Sequence, residues 1–251
     1  MTEYKYLRKR YISYIRLSYL LISMFFLCIV SNRNFSQYIL YITIAYICIV
    51  VFVQKKIEKW YLKTLNKSLF VDINIASWQQ FIQFNENAKS RRVRRTSNIY
   101  DIIYTYMQGD FRNVVNKIVE FKSTSKLNEL ESKTVIFYQV NSELLSNKIN
   151  SMEDIEKILK DSNINDSDMT EMAHRFEAIL DIVIKKKAND YFKTLDSDFK
   201  FDILESMYFD ALNDQLKGNE QKAKQILTDI SIENLDIFIV RKSKTILEEM
   251  Y

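Results

Sequence analysis

YISYIRLSYLLISMFFLCIVSNRNFSQYILYITIAYICIVVFV, residues 11–53, holds two apolar stretches joined by a short polar connection. The first, 11–30, carries one charge, Arg16, in 20 residues, and the second, 35–53, carries none in 19. At about 1.5 Å per residue, each crosses about 30 Å of hydrocarbon as a helix. A helix buried in a soluble core is seldom apolar on every side for this length, so the pattern predicts a transmembrane hairpin. Arg16 lies within two turns of the amino end of its span, where its long stem reaches the headgroups. The connection, SNRNFS, is too short to hold a domain and brings one positive charge, Arg33.

The residues flanking the spans predict the orientation. Lys5, Arg8, Lys9, Arg10 and Arg16 stand against Glu3 on one side, and Lys55, Lys56, Lys59, Lys63 and Lys67 stand against Glu58 on the other. Both termini are therefore expected in the cytoplasm. Tyr11, Tyr14 and Tyr19 near one interface, with Trp60 and Tyr61 beyond the other span, suit an aromatic belt. No small-residue cleavage site follows the first span and a second comes at once, so the segment reads as a retained anchor. Cys28 and Cys48 fall inside the spans, without metal-ligand spacing or a disulfide framework.

The whole chain of 251 residues has a net charge of only +4, which hides an asymmetry. Residues 1–95 carry 16 Lys and Arg against 4 acids, a net of +12, and residues 96–251 carry 20 against 28, a net of −8. A basic half of this kind points to an anionic surface. Two glycines exclude Gly-rich phosphate loops. With no proline besides, the chain lacks the punctuation of turn-dense β folds, and an all-α protein is expected. Its wealth of Ile, Lys, Asn, Tyr and Phe fits an AT-rich genome and a bacterial plasma membrane.

Beyond residue 54 the pattern turns amphipathic. QKKIEKWYLKTLNKSLF places Ile57, Tyr61, Leu65 and Phe70 near one stripe, as an extension of the second span or a helix on the headgroups would. Its lysines, Lys55, Lys56, Lys59 and Lys63, face anionic lipid in either case. SWQQFIQF, 77–84, predicts another helix, and KSRRVRR, 89–95, follows. Arg91, Arg92, Arg94 and Arg95 suit a lipid headgroup or a partner protein, a solvated linker, or the phosphates of a nucleic acid. No recognition helix, zinc spacing or aromatic RNA-binding strand accompanies them and the following domain is acidic, so nucleic acid is the least favoured.

Residues 97–230 repeat one layout, a helix, a polar turn and a second helix. SNIYDIIYTYMQGDFRNVVNKIVEF (97–121) turns at Gly109 and Asp110, and DILESMYFDALNDQLKGNEQKAKQILTDI (202–230) turns at Gly218 and Asn219. Both glycines of the chain thus occupy the same hairpin turn, where a left-handed residue ends the first helix. Val114, Ile118 and Phe121 in one second helix, and Ala223, Ile226, Leu227 and Ile230 in the other, form the packing stripes. Residues 133–161 and 171–195 show the layout without glycine. The glycines lie 109 residues apart, three steps of about 36, which is a repeat period.

YMQGDFRNVV (106–115) and LKGNEQKAKQIL (216–227) resemble the turns of the tetratricopeptide repeat family, whose units are helical hairpins of about 34 residues. The likeness covers about half the chain. The family's first-helix signature is missing, its Gly position being held by Ile102 and Ala211, and its terminal Pro is missing throughout. The resemblance implies a scaffold that binds peptides or proteins on a concave surface and performs no chemistry of its own.

Other constellations read as structural. DSNINDSD (161–168) alternates oxygen side chains like a calcium loop, but Asp166 stands where the sharp turn wants glycine, and Glu171 comes one residue early with Met172 in its place. The stretch reads as an interhelix loop in which Asp168 caps the next helix and Glu171 completes a capping box. Asp196, Asp198 and Asp202 read as a solvated turn and cap. His174 is the single histidine, so no His-based triad or multi-histidine metal site forms within one chain.

The expected architecture is a transmembrane hairpin (1–54), a basic juxtamembrane helical connector (55–95) and a cytoplasmic α-solenoid of about four helix-turn-helix units with a final capping helix (96–251). The expected function is a non-catalytic adaptor or scaffold, without cofactors or metals, that holds a protein or peptide partner at the membrane. The alternative is an accessory, regulatory or immunity subunit that acts through its hairpin on a transporter, channel or membrane-active peptide.

Overall fold

The computed structural model describes residues 3–31, 38–88, 90–124, 126–162, 164–194 and 197–250, except for the side chains of Arg92 and Thr194. Most of the 31–36 connection, with Arg33, lies outside them, as do Lys89 and Asp196. Among the described residues there are eleven α-helices and no strand. The chain divides into two compact units, Met1–Gln80 and Phe81–Tyr251.

The first unit is built on α1 (Glu3–Val30) and α2 (Ile39–Asn66), each 28 residues. Both are long and apolar enough to cross a membrane, with mean hydropathies of 1.9 and 1.7 in their most apolar stretches. At about 42 Å each exceeds the hydrocarbon thickness. The amphipathic stretch after residue 54 is thus a continuation of the second helix rather than a separate one. The two helices pair through Ser23 and Tyr46, whose hydroxyls lie 3.1 Å apart, and through Gln54, which donates to the Tyr19 hydroxyl. Rings stack between Tyr11 and Tyr61 at 4.4 Å.

The foot of this hairpin has a core of its own. A π-helical turn (Lys67–Val71) ends α2, and α3 (Ile75–Asn85) follows. Tyr4, Leu7, Leu65, Leu69 and Trp78 are buried together with Ile73. The Trp78 Nε1 donates to the Leu69 carbonyl at 2.8 Å, and the Glu3 carboxylate accepts from Asn74 Nδ2 at 2.8 Å and from Ser68 Oγ at 3.2 Å. Ile73 holds φ at +43°, a strained value for a β-branched residue, and its side chain is buried there.

The second unit contains α4 (Arg91–Met107), α5 (Phe111–Thr124), α6 (Glu129–Leu145), α7 (Met152–Lys160), α8 (Asp166–Ile179), α9 (Lys200–Leu216), α10 (Glu220–Ser231) and α11 (Phe238–Glu249). Three hairpins, α4 with α5, α6 with α7 and α9 with α10, match the expected layout. The third expected unit differs. After α8 and its π-helical end (Leu180–Ile184), the second arm is only a 3-10 turn, Asp190–Thr194, because KKKAND leaves no apolar stripe to bury.

Each first arm ends on a left-handed residue: Gly109 and Gly218 at φ +78°, Asn147 at +56° and Lys186 at +53°. After Gly109 and Gly218 the two hydrogen bonds of a Schellman cap form, for example Gly109 N to Tyr106 O at 2.8 Å and Asp110 N to Thr105 O at 3.3 Å. The same pair closes at Asn147, with Leu144 O and Glu143 O. Four first arms thus end in the same left-handed backbone state, two of them without glycine.

Two expected caps shift. α8 is capped by Asn165, whose Oδ1 accepts from Asp168 N at 2.9 Å, so Asp168 is the third helical residue and Glu171 completes no capping box. Asp202 is half-buried in the first turn of α9 and accepts from Ser197 Oγ at 3.2 Å instead of lying in a solvated cap. Asp198 alone of this trio is described as exposed. The stripes Val114, Ile118 and Phe121 and Ala223, Leu227 and Ile230 are buried, with Ile226 half-buried.

The first and last hairpins also touch. Tyr106 packs edge-on against Phe201 and Phe238, Phe111 meets Phe238 at 5.1 Å, and Arg241 Nη2 donates to the Gln108 carbonyl at 2.5 Å. A one-dimensional stack has nearest-neighbour contacts only; this unit adds a closure between its ends.

Candidate functional site

The basic cluster at the start of α4 is divided between faces, as helical geometry requires of consecutive residues. Arg91 and Arg95, four apart, line a groove of about 830 Å³ between α4 and α6, with Ile99, Tyr100, Ile103, Leu130, Glu131 and Thr134. Arg94 lines a separate hollow of about 560 Å³ beside Glu86, Asp101 and Lys117. The side chain of Arg92 lies outside the described residues.

Arg95 is committed within the fold. Its Nε and Nη2 bind both oxygens of Glu131, at 2.9 and 2.5 Å, Nη2 also donates to the Lys126 carbonyl at 3.1 Å, and the guanidinium lies 5.4 Å from the Phe121 ring. Glu131 completes a capping box with Asn128 at the start of α6. The bidentate Arg95 guanidinium, with the Asn128 backbone amide, holds the Glu131 carboxyl below the usual carboxylate range despite its burial. Arg91 is exposed at the groove's edge, and Leu130 projects into the same groove with 74% of its surface accessible. Among the described residues, the groove thus offers an apolar strip with one unpaired cation, Arg91.

The lysines named from sequence, Lys55, Lys56, Lys59 and Lys63, are exposed on α2. Lys56 stands apart, lying 4.8 Å over the Phe52 ring and lining a small pocket with Arg10 and Trp60. Of the turn residues, Gly109 and Gly218 serve the backbone as described. Asp110 Oδ1 accepts from Asn113 N at 3.2 Å, and Asn219 donates to Asp214 at 3.0 Å, so both are local turn residues.

A buried polar cluster has no counterpart in the sequence reading. Arg175 from α8 pairs with Glu205 from α9, whose other oxygen accepts from the Tyr106 hydroxyl of α4 at 2.5 Å. Phe137 and Phe192 lie 5.0 and 5.2 Å from the guanidinium. All three polar residues are buried. Burial pushes the Glu205 carboxyl above the usual carboxylate range, against the pull of Arg175 and the Tyr106 hydroxyl. The signal was present in the pattern: Arg175 sits in the apolar register of Met172, Phe176 and Ile179, and Glu205 in that of Phe201 and Phe209. A charge on a core stripe needs a partner, and sequence spacing alone does not name one.

His174 is exposed on α8. Among the described residues no three His, Cys, Asp or Glu side chains are placed to hold a metal ion. No protein-family model, curated protein or solved structure matches the chain.

Proposed function

We propose that this chain is a membrane-anchored adaptor: a two-span hairpin with both termini in the cytoplasm holds a tetratricopeptide-like helical-repeat domain that binds a protein or peptide partner without catalysis. The surplus of Lys and Arg beside both spans supports that orientation, and composition supports a bacterial plasma membrane. The observation that carries the binding reading is the α4–α6 groove, where exposed Leu130 and half-buried Ile99 lie beside an exposed Arg91 that is unpaired among the described residues. Such a strip suits an extended or helical segment that presents apolar anchors and a carboxylate. Arg95 and Glu131 pin the two walls at a fixed spacing, so the groove is preorganised.

A photo-crosslinking side chain at Leu130 of the full-length protein in cells tests this reading. Val119, 63% exposed on α5 and outside the groove, is the control position. The expected result is a partner captured at 130 and not at 119, and lost when Arg91 is changed to Glu. Equal capture at both positions, or capture at 130 unchanged by Arg91→Glu, moves the function elsewhere in the chain.

A further inference from the structure

At the foot of the hairpin, Arg10, Tyr14, Lys56, Ile57 and Trp60 line a shallow, open pocket of about 300 Å³. The Arg10 guanidinium lies 5.4 Å from the Tyr6 ring, 5.5 Å from Tyr14 and 6.0 Å from Trp60, and it donates to the Tyr14 hydroxyl at 2.6 Å. Tyr14 and Trp60 pack at 5.4 Å. Aromatic faces around a guanidinium satisfy its plane and leave its edge for an acceptor. Lys56 supplies a second positive charge from the other helix.

Among the described residues, neither carboxylate of the two helices pairs with these charges. Glu3, the single acid of α1, is engaged by Asn74 and Ser68. Glu58, the single acid of α2, is two residues from Lys56, about 200° around the helix axis. The height is informative too. Arg10 immediately precedes the first apolar stretch and Lys56 comes three residues after the second, each within about 5 Å of the end of its own stretch along its own helix. The register of the pair, with Tyr11 beside Tyr61 and Tyr19 beside Gln54, sets Trp60 and Ile57 between the heights of Arg10 and Lys56, so a lipid phosphate at Arg10 has these apolar side chains on its bilayer side and the Lys56 backbone about 10 Å deeper.

We propose that the pocket of Arg10, Tyr14, Lys56, Ile57 and Trp60 binds the phosphate of one anionic phospholipid. Arg10 holds the phosphate, Lys56 adds positive charge from the other helix, the Tyr14 hydroxyl holds the guanidinium in place, and Ile57 and Trp60 receive the start of the acyl chains. The site rests on the reading of the hairpin as membrane-spanning. It differs from diffuse attraction by the remaining lysines, because two named side chains carry the selectivity.

The test reconstitutes the full-length protein in phosphatidylcholine vesicles and adds small equal fractions of phosphatidylglycerol or phosphatidylcholine brominated near the head of the acyl chain. Tryptophan fluorescence reports proximity at Trp60, since Trp78 is buried in the foot; a Trp60→Phe variant gives the background. The expected result is that brominated phosphatidylglycerol occupies the site with a preference on the order of tenfold over brominated phosphatidylcholine. Arg10→Gln with Lys56→Gln removes that preference. Lys55→Gln with Lys59→Gln, an equal loss of charge outside the pocket, retains it.

Equal quenching by both lipids, or equal loss in the two double variants, overturns the proposal. Relief of the quenching by millimolar glycerol phosphate also overturns it, because the site then selects a soluble phosphate. Labelling of Cys28 and Cys48 by a membrane-impermeant maleimide in the same vesicles separates the two readings. Protected thiols with no lipid preference leave the anchor standing and remove the site, whereas labelled thiols remove the anchor itself.

Discussion

At Gly109 and Gly218 the same residue type in the same backbone state has different neighbours. Both hold φ at +78°, where a side chain costs about 1 to 2 kcal/mol. A Cβ on Gly218 meets nothing within 4 Å, while one on Gly109 would stand 2.6 Å from the Phe238 Cβ, an atom fixed to the backbone of α11. Gly218→Ala is therefore expected to lower stability by about 1 kcal/mol. Gly109→Ala is expected to cost about 3 kcal/mol or more, as the overpacking adds to the strain. Denaturant melts of the two full-length variants in one detergent check the difference, and equal costs would show that α11 yields.

At the scale of elements, the α4–α6 groove depends on a contact that caps one helix and ties it to another. Glu131 serves the capping box of α6 and receives Arg95 from α4. Because Arg95 lowers the folded-state pKa of Glu131, the pair contributes stability above the unfolded carboxyl value of about 4.3. That contribution is lost as the pH falls through the lower, folded value. Glu131→Gln keeps the capping geometry and removes the charge. It is expected to cost about 1 to 2 kcal/mol at pH 7, and the gap from the parent protein should narrow below about pH 4. Melting temperatures of both proteins across that range test the sign; a gap independent of pH assigns the cost to packing instead.

For the helical unit as a whole, the closure between its ends runs through charge buried at its centre. Tyr106, Arg175 and Glu205 join α4, α8 and α9, and Phe238 of α11 covers the Tyr106 ring. Removing one partner of a buried pair leaves the other uncompensated, so Arg175→Met is expected to cost about 3 to 5 kcal/mol. Adding Glu205→Leu should recover most of that loss, because apolar residues of similar volume replace such pairs at little net cost. A double-mutant cycle by chemical unfolding measures the coupling. Additive losses would mean that the two side chains act independently and that aromatic packing alone closes the unit.

Apolar length, charge counted beside it and helical periodicity are local properties, so the all-α class, the two long apolar helices and the turns at Gly109 and Gly218 were legible in the sequence. The turns at Asn147 and Lys186 were not, since a left-handed residue other than glycine leaves no compositional mark. Arg91 to Arg95 read as one basic cluster, but the helical rotation between neighbours and the presence of Glu131 across the groove divide it: Arg95 pairs with Glu131, Arg91 stays exposed at the groove's edge and Arg94 faces a separate hollow. Likewise Arg10 and Trp60, fifty residues apart, meet only because the register of α1 on α2 brings them to one height. Sequence spacing determines which face of a helix a residue occupies; which other helix that face meets is decided by packing between distant segments, and the groove, the buried triad and the foot pocket all arise there.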